Sequence, residues 1–169
     1  MSSHQSGSHD EALLIQQLSR RFADVALFDH VAAEELEQLA ARSTVEQVPP
    51  GVVLSAQQST EHDLYIVIRG HLEVWLDPST LGSAAPSHKL ATLYADEFAG
   101  ELALVDGGVR SARLQAGDDG VSVIRVPQSV ILARCEENPQ FGYQVMRNLA
   151  AILALRSRLT ALSVQTLPL

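Results

Sequence analysis

A mainly β domain with α-helices at both ends is the fold class this sequence predicts. Three observations carry the prediction. Short runs of alternating apolar and polar residues fill residues 45–126, apolar residues at helical spacing precede them, and a longer helical pattern follows Pro127. The 169 residues suit one domain, and the 46% apolar content is enough to build a core.

Residues 1–9 are polar, rich in Ser and His, and read as a disordered tail. Ser8 and Glu11 have the spacing of a capping box and open a helical region over 10–44. Leu13, Leu14, Leu18, Phe22 and Val25 fall close to helical spacing there, and a second helix is expected around 33–41 with Leu36 and Leu39 facing inward. Pro49, Pro50 and Gly51 end the helical texture. In the β region, 45–126, Leu64, Ile66 and Ile68 share one face of a strand, with Tyr65 and Val67 on the other. Gly70 is expected to break that strand before Leu72, Val74 and Leu76 resume the alternation. Residues 77–89 read as a long exposed hairpin loop, 90–94 as a strand, and Gly107-Gly108 as a turn. Ala112, Leu114 and Ala116 alternate with Arg113 and Gln115, and the Gly-Asp-Asp-Gly run at 117–120 reads as a turn into 121–126. Many short strands with turn signals indicate a small barrel or a sandwich.

The C-terminal helices, 127–169, belong to the same domain. Residues 129–136 suit a short helix, and Asn138-Pro139 opens a long one, with Pro in the first turn where its missing N–H is harmless. Val145, Leu149, Ile152, Leu159 and Leu162 form an apolar stripe on it, widened by Leu153 and Leu155. That stripe has two readings: it packs wholly on its own β domain, or it forms a two-fold seam with the same helix of a second chain.

Charge narrows the function. The formal net charge of -8 argues against general binding to nucleic acid or to anionic membrane, which rests on excess Lys and Arg. An anion site in such a chain has to be built locally, from a few aimed donors. The single cysteine, Cys135, cannot form an internal disulfide and reads as a small buried residue. With no apolar signal segment and no run of 18 apolar residues, the expectation is a soluble cytoplasmic protein. Trp75 reads as packing. His62, His71 and His88 lie on separate strands or loops without a His-x-His pair, so no metal is expected. Neither a nucleophile with its base nor a poised pair of carboxylates is visible, so an enzyme is not expected.

One segment, 98–112, stands apart: Phe98-Ala99-Gly100-Glu101-Leu102-Ala103-Leu104, a Val-Asp-Gly-Gly-Val turn, then Arg110-Ser111-Ala112. Gly100 allows close backbone approach. Residues 101–104 can form one helical turn whose free N–H groups suit an anion. Arg110 offers a planar fork of donors for two phosphate oxygens, and Ser111 adds a hydroxyl and a backbone N–H. Glu101 would repel a phosphate and makes sense against a sugar hydroxyl. A compact ligand carrying both groups fits a cyclic nucleotide.

This segment resembles the phosphate-binding cassette of cyclic nucleotide-binding domains, especially those of the catabolite activator protein family, where Phe-x-Gly-Glu-Leu-x-Leu and a short variable turn lead to Arg-Ser-Ala. The resemblance runs from about residue 25 to 162. It takes in Leu27, Phe28 and Glu34-Glu35-Leu36 ahead of the β region, and the Leu64-Tyr65-Ile66-Val67-Ile68-Arg69-Gly70 strand and turn. It implies an antiparallel β-roll, jelly-roll-like (a double-stranded β-helix), with N-terminal helices and a long C-terminal helix. It also implies a ligand-binding set of Gly100, Glu101, Leu102, Arg110, Ser111, Ala112, Arg156 and Thr160. In that set the Gly100 backbone and Glu101 hold the ribose 2′-hydroxyl, Arg110, Ser111 and the Ala112 backbone hold the cyclic phosphate, and Arg156 and Thr160 lie at the base. Three positions depart from the family. Ala95 and Gln58 stand where Gly is usual, and Ala161 offers no hydroxyl where the activator carries a Ser.

The implied function is a cyclic nucleotide sensor or regulatory module, with cAMP favoured ahead of cGMP, dimerising through the last helix and acting on an unidentified effector protein. Activators of this family continue into a helix-turn-helix domain. This sequence ends soon after its long helix, so direct DNA binding is not expected. Two competing readings are a dimerising interaction module with a vestigial nucleotide pocket and a cupin-like metalloenzyme.

Overall fold

The computed structural model describes residues 3–165, with side chains from 10 to 161 except that of Leu81. Five α-helices and six strands are found among them: α1 (Ser3–Ala23), α2 (Ala33–Ala40), β1 (Thr44–Val48), β2 (Val53–Ser55), β3 (Leu64–Leu76), β4 (His88–Leu93), β5 (Phe98–Ala99), α3 (Ala103–Asp106), β6 (Arg113–Val126), α4 (Gln128–Glu137) and α5 (Pro139–Gln165). No helix of the described residues is long and apolar enough to cross a membrane.

The helix α1 begins ahead of the Ser8 capping box and takes in most of the segment read as a tail, since residues 3–9 hold no proline to stop it. Its second half carries the core residues Leu18 and Phe22, and Val25 is buried just past its end, while Leu13 and Leu14, close to the same helical spacing, are 47% and 46% exposed. Length explains this: at 1.5 Å per residue the eight-residue α2 is too short to cover a partner of 21 residues. The apolar ends of both helices meet around Leu27, Phe28, Leu36 and Leu39, with the Phe22 and Phe28 rings 5.3 Å apart.

All strand pairing is antiparallel, in the order β1-β6-β3-β4, with β2 added on β6 and β5 on β3, and the sheet rolls on itself into a β-roll. Both faces of β3 are buried. Leu64 and Ile66 join the helical core with Phe98, Ile124 and Val126, and Tyr65 and Val67 fill the interior of the roll with Leu72, Leu114 and Val123.

Two readings are corrected here. Gly70 does not break a strand, and residues 117–120 do not separate two strands. Both lie inside long, continuous ones. The pairing runs Gly70 with Val121 and then Leu72 with Ala116, so residues 117–120 bulge out opposite His71 alone. Gly70 (φ 75°) and Gly120 (φ 76°) adopt the left-handed conformation that such a bulge requires.

The last helix divides. Phe141, Val145 and Leu149 are buried against the helical core, whereas Tyr143, Leu155 and Leu159 are 67%, 54% and 55% exposed. The side chain of Leu162, assigned to the same stripe, lies outside the described residues. Asn148 ties this helix down by donating to the carbonyls of Leu27 (3.0 Å) and Asp29 (2.8 Å).

The junction of α4 and α5 is held to α2 by charge. The Glu35 carboxylate accepts from Arg134 Nε (3.0 Å) and Nη2 (2.7 Å) and from Asn138 Nδ2 (2.9 Å). Burial pushes the Glu35 carboxyl up, but the Arg134 and Asn138 hydrogen bonds and the Arg134 charge outweigh it and hold it below the usual glutamate value. A depressed folded-state pKa contributes stability above the unfolded value, and that stability is lost as pH falls through the folded one. Glu35→Gln is therefore expected to cost about 1–3 kcal/mol at pH 7. The gap to the parent should close as the pH of a urea titration is lowered through the glutamate range. A gap that stays constant with pH would show that the charge of Glu35 contributes nothing.

Candidate ligand-binding cleft

The cassette is placed by three elements. The short strand β5 pairs with β3 through Tyr65–Ala99 and Ile66–Phe98, which fixes the approach to Gly100. The single turn α3 ends on Gly107, which caps it in the left-handed conformation at φ 60°. The chain then returns through Arg110, whose N–H donates to Ser59 O (2.9 Å) and whose carbonyl accepts from Gln58 N (2.8 Å). Gln58 keeps a positive φ of 66°, so the turn geometry expected of a Gly is retained by a side chain that has to bear the strain.

Arg110 is the centre of this arrangement. Only 5% of it is exposed, yet it belongs to none of the ion pairs among the described residues. Its Nε donates to Ser55 Oγ (3.1 Å), its Nη2 to the Asp63 carbonyl, and its guanidinium carbon lies 5.6 Å from the centre of the Tyr65 ring. Burial lowers its pKa against the opposing pull of Tyr65, Asp63, Glu61 and Glu101, though an arginine stays charged under ordinary conditions. A buried cation held by a hydroxyl, a carbonyl and a ring face carries a charge that no carboxylate of the described residues pairs with, and such a group has the chemistry to bind an anion.

Gly100 makes room for it. At φ 98°, a Cβ there would fall on Arg110 Nη1 and lie 2.5 Å from the Asp63 carbonyl. Glu101, 6% exposed, accepts from Nη1 of Arg156, an ion pair that joins the cassette to α5. Arg156 also donates to the Phe98 carbonyl (3.4 Å) and lies over the Phe98 ring at 5.3 Å. Thr160 Oγ1 donates to the Arg156 carbonyl of its own helix (3.0 Å).

All eight residues of the expected set, Gly100, Glu101, Leu102, Arg110, Ser111, Ala112, Arg156 and Thr160, line one cleft of about 530 Å³. That volume lies inside the usual range for small-molecule sites. Apolar residues share the lining: Val74, Leu90, Leu93 and Leu114 from the roll and Leu159 from α5. The geometry differs from the expectation in one respect: Arg156 rests on the Glu101 carboxylate. Sequence reasoning missed Ser55, Asp63 and Tyr65, which hold the Arg110 guanidinium. Among the described residues no three His, Cys, Asp or Glu side chains are grouped as a metal site.

An antiparallel roll that brings a buried guanidinium and a buried carboxylate to one apolar-walled cleft defines a small-molecule-binding domain. Residues 45–138, more than half of the sequence, match the family profile of the cyclic nucleotide-binding domain, and the chain belongs to that family.

Solved structures of similar fold include the Thermus thermophilus catabolite activator protein, at 28% identity and a TM-score of 0.67, over 83% of this chain and 62% of that one. A cyclic nucleotide-binding domain from Methylobacillus flagellatus matches at 19% identity and a TM-score of 0.73, over 92% and 85%. The regulatory domain of Toxoplasma gondii PKA, in co-crystal with cAMP, matches at 18% identity and a TM-score of 0.69, over 83% and 50%. The chain thus spans half of the Toxoplasma chain and 62% of the Thermus one. A search of curated protein sequences finds no significant match.

Proposed function

We propose that this protein is a cyclic nucleotide sensor module, binding cAMP ahead of cGMP, that passes the bound state to a protein partner. The observation that carries this reading is the buried Arg110 guanidinium, without a carboxylate of its own, in the same cleft as the buried Glu101. In this reading the cyclic phosphate takes the Arg110 fork with Ser111 and the Ala112 N–H. The ribose hydroxyl meets the Gly100 backbone and Glu101, and the base lies between the apolar wall and α5 near Arg156 and Thr160. A ribose hydroxyl on Glu101 competes with, or shares, the Arg156 ion pair, so ligand binding acts directly on α5. Output follows because the ligand then favours one placement of that helix over another. The exposed apolar side chains of α5, Tyr143 and Leu155 among them, support a second copy of the chain as partner.

Calorimetric titration of the ligand-free protein with cAMP, cGMP and 5′-AMP tests this. Saturable binding of cAMP, weaker binding of cGMP and none of 5′-AMP at the same concentrations is the expected result. No heat from either cyclic nucleotide at millimolar concentration, with a folded sample, would replace the sensor by an interaction module with a vestigial pocket.

A further inference from the structure

Asp63 faces two ways. Its backbone carbonyl accepts from Arg110 Nη2, and its side-chain Oδ2 accepts from Arg125 Nε. Of the carboxylates around Arg110, that of Asp63 pulls on the guanidinium most strongly, ahead of Glu61 and Glu101. It nevertheless forms no ion pair with Arg110. The cause lies on β6. Arg125 pairs in register with Tyr65 of β3 on one side and Thr44 of β1 on the other, which sets it beside the start of β3. It is steadied from outside by Glu46, whose Oε1 lies 3.3 Å from Arg125 Nη1. The chain Glu46–Arg125–Asp63 thus holds the Asp63 carboxylate on Arg125 while the Asp63 carbonyl stays on Arg110.

Without Arg125 this balance fails. The Asp63 side chain is only 17% exposed, and a poorly hydrated carboxylate that loses its cation is driven to find another. Arg110 is already hydrogen-bonded to the same residue and has no carboxylate of its own. Rotation about the side-chain bonds of Asp63 would bring the two charges together.

We propose that Arg125 is a positioning residue for the phosphate site: by holding the Asp63 carboxylate on β6, it keeps Arg110 open to an external anion. This rests on the reading that Arg110 receives the phosphate. It assigns Arg125, which does not line the cleft, a specific share in affinity.

Arg125→Gln tests it. With the fold intact by circular dichroism, cAMP affinity is expected to fall about tenfold or more, because the incoming phosphate must displace an internal carboxylate. Asp63→Asn alone, which keeps the carbonyl, should leave affinity within about twofold of the parent, and Arg125→Gln combined with Asp63→Asn should return to that level. A simple packing role for Arg125 would not be rescued in this way. Should Arg125→Gln fail to fold, Glu46→Ala loosens the same arginine, and its smaller loss should likewise vanish with Asp63→Asn. Unchanged affinity in Arg125→Gln, or a loss that Asp63→Asn does not restore, overturns the proposal. If the parent binds no cyclic nucleotide, the sensor reading fails first. A crystal structure of Arg125→Gln then decides this inference alone: the Asp63 carboxylate on Arg110 supports it, and that carboxylate anywhere else overturns it.

Discussion

Arg110→Ala is expected to abolish saturable cyclic nucleotide binding, a loss of about 2–5 kcal/mol, or thirtyfold and more in Kd. The reason is the burial of the group. A guanidinium that is 5% exposed and paired with no carboxylate contributes its charge to the ligand with little screening by water. The same feature predicts an unusual partner result for stability. Removing Arg110 breaks no ion pair and relieves the cost of keeping a cation out of water, while leaving the Asp63 carbonyl and Ser55 hydroxyl with one donor fewer. Arg110→Met, which roughly keeps the volume, is accordingly expected to be as stable as the parent in urea, or more so, while binding nothing. A variant that binds cAMP within a few fold of the parent sinks the assignment. A variant that loses several kcal/mol of stability would instead make Arg110 a structural residue.

Gly100→Ala is expected to damage the same site from the opposite side. One added methyl group must be placed at φ 98°, and it meets Arg110 Nη1 on one flank and the Asp63 carbonyl on the other. Backbone strain of this kind costs about 1–3 kcal/mol, and the contact can be relieved only by moving Arg110 or the cassette. Binding should therefore fall by an order of magnitude or more, with a lower urea midpoint. Gly107→Ala makes a fair control. Gly107 is also left-handed, at φ 60°, but nothing stands within 4 Å of its added Cβ. It should lose some stability and keep its affinity. Equal affinities for the two alanine variants would mean that the space at Gly100 does not serve the ligand.

The cassette was legible because its chemistry is contiguous. From Phe98 to Ala112 the residue types, their order and a short turn bring donor and acceptor together with no need to know the rest of the fold. The supports of Arg110 were not legible for the converse reason. Ser55 sits on a three-residue strand with a register shift between Val53 and Ser55, and Asp63 acts on Arg110 through its backbone carbonyl, which every residue type possesses. The two glycine breaks misled because a left-handed glycine serves a turn and a bulge equally well. What separates them is whether the strand resumes with the same neighbour, and β6 returns to β3 on both sides of residues 117–120. Similarly, helical spacing marks Leu13 and Leu14 together with the buried Leu18, Phe22 and Val25, but spacing alone does not tell how far the neighbouring helix reaches, and Leu13 and Leu14 lie exposed.

The bonds that Glu35 makes to Arg134 and Asn138 have a mechanical meaning. They clamp the root of α5 to the N-terminal helices, while Arg156, eighteen residues further along, grips the mouth of the cleft. Between the two grips Asn148 and the buried Leu149 fasten the helix again, so α5 is a lever with its fulcrum near Leu149, about 10 Å short of Arg156 at 1.5 Å per residue. A tilt of about 25° there carries Arg156 through roughly 4–5 Å, enough to take it off Glu101, while the buried residues from Phe141 to Leu149 stay in place. A small event at Glu101 is thereby magnified toward the C-terminal end of the helix, and the residues buried between Phe141 and Leu149 need not repack for it to happen.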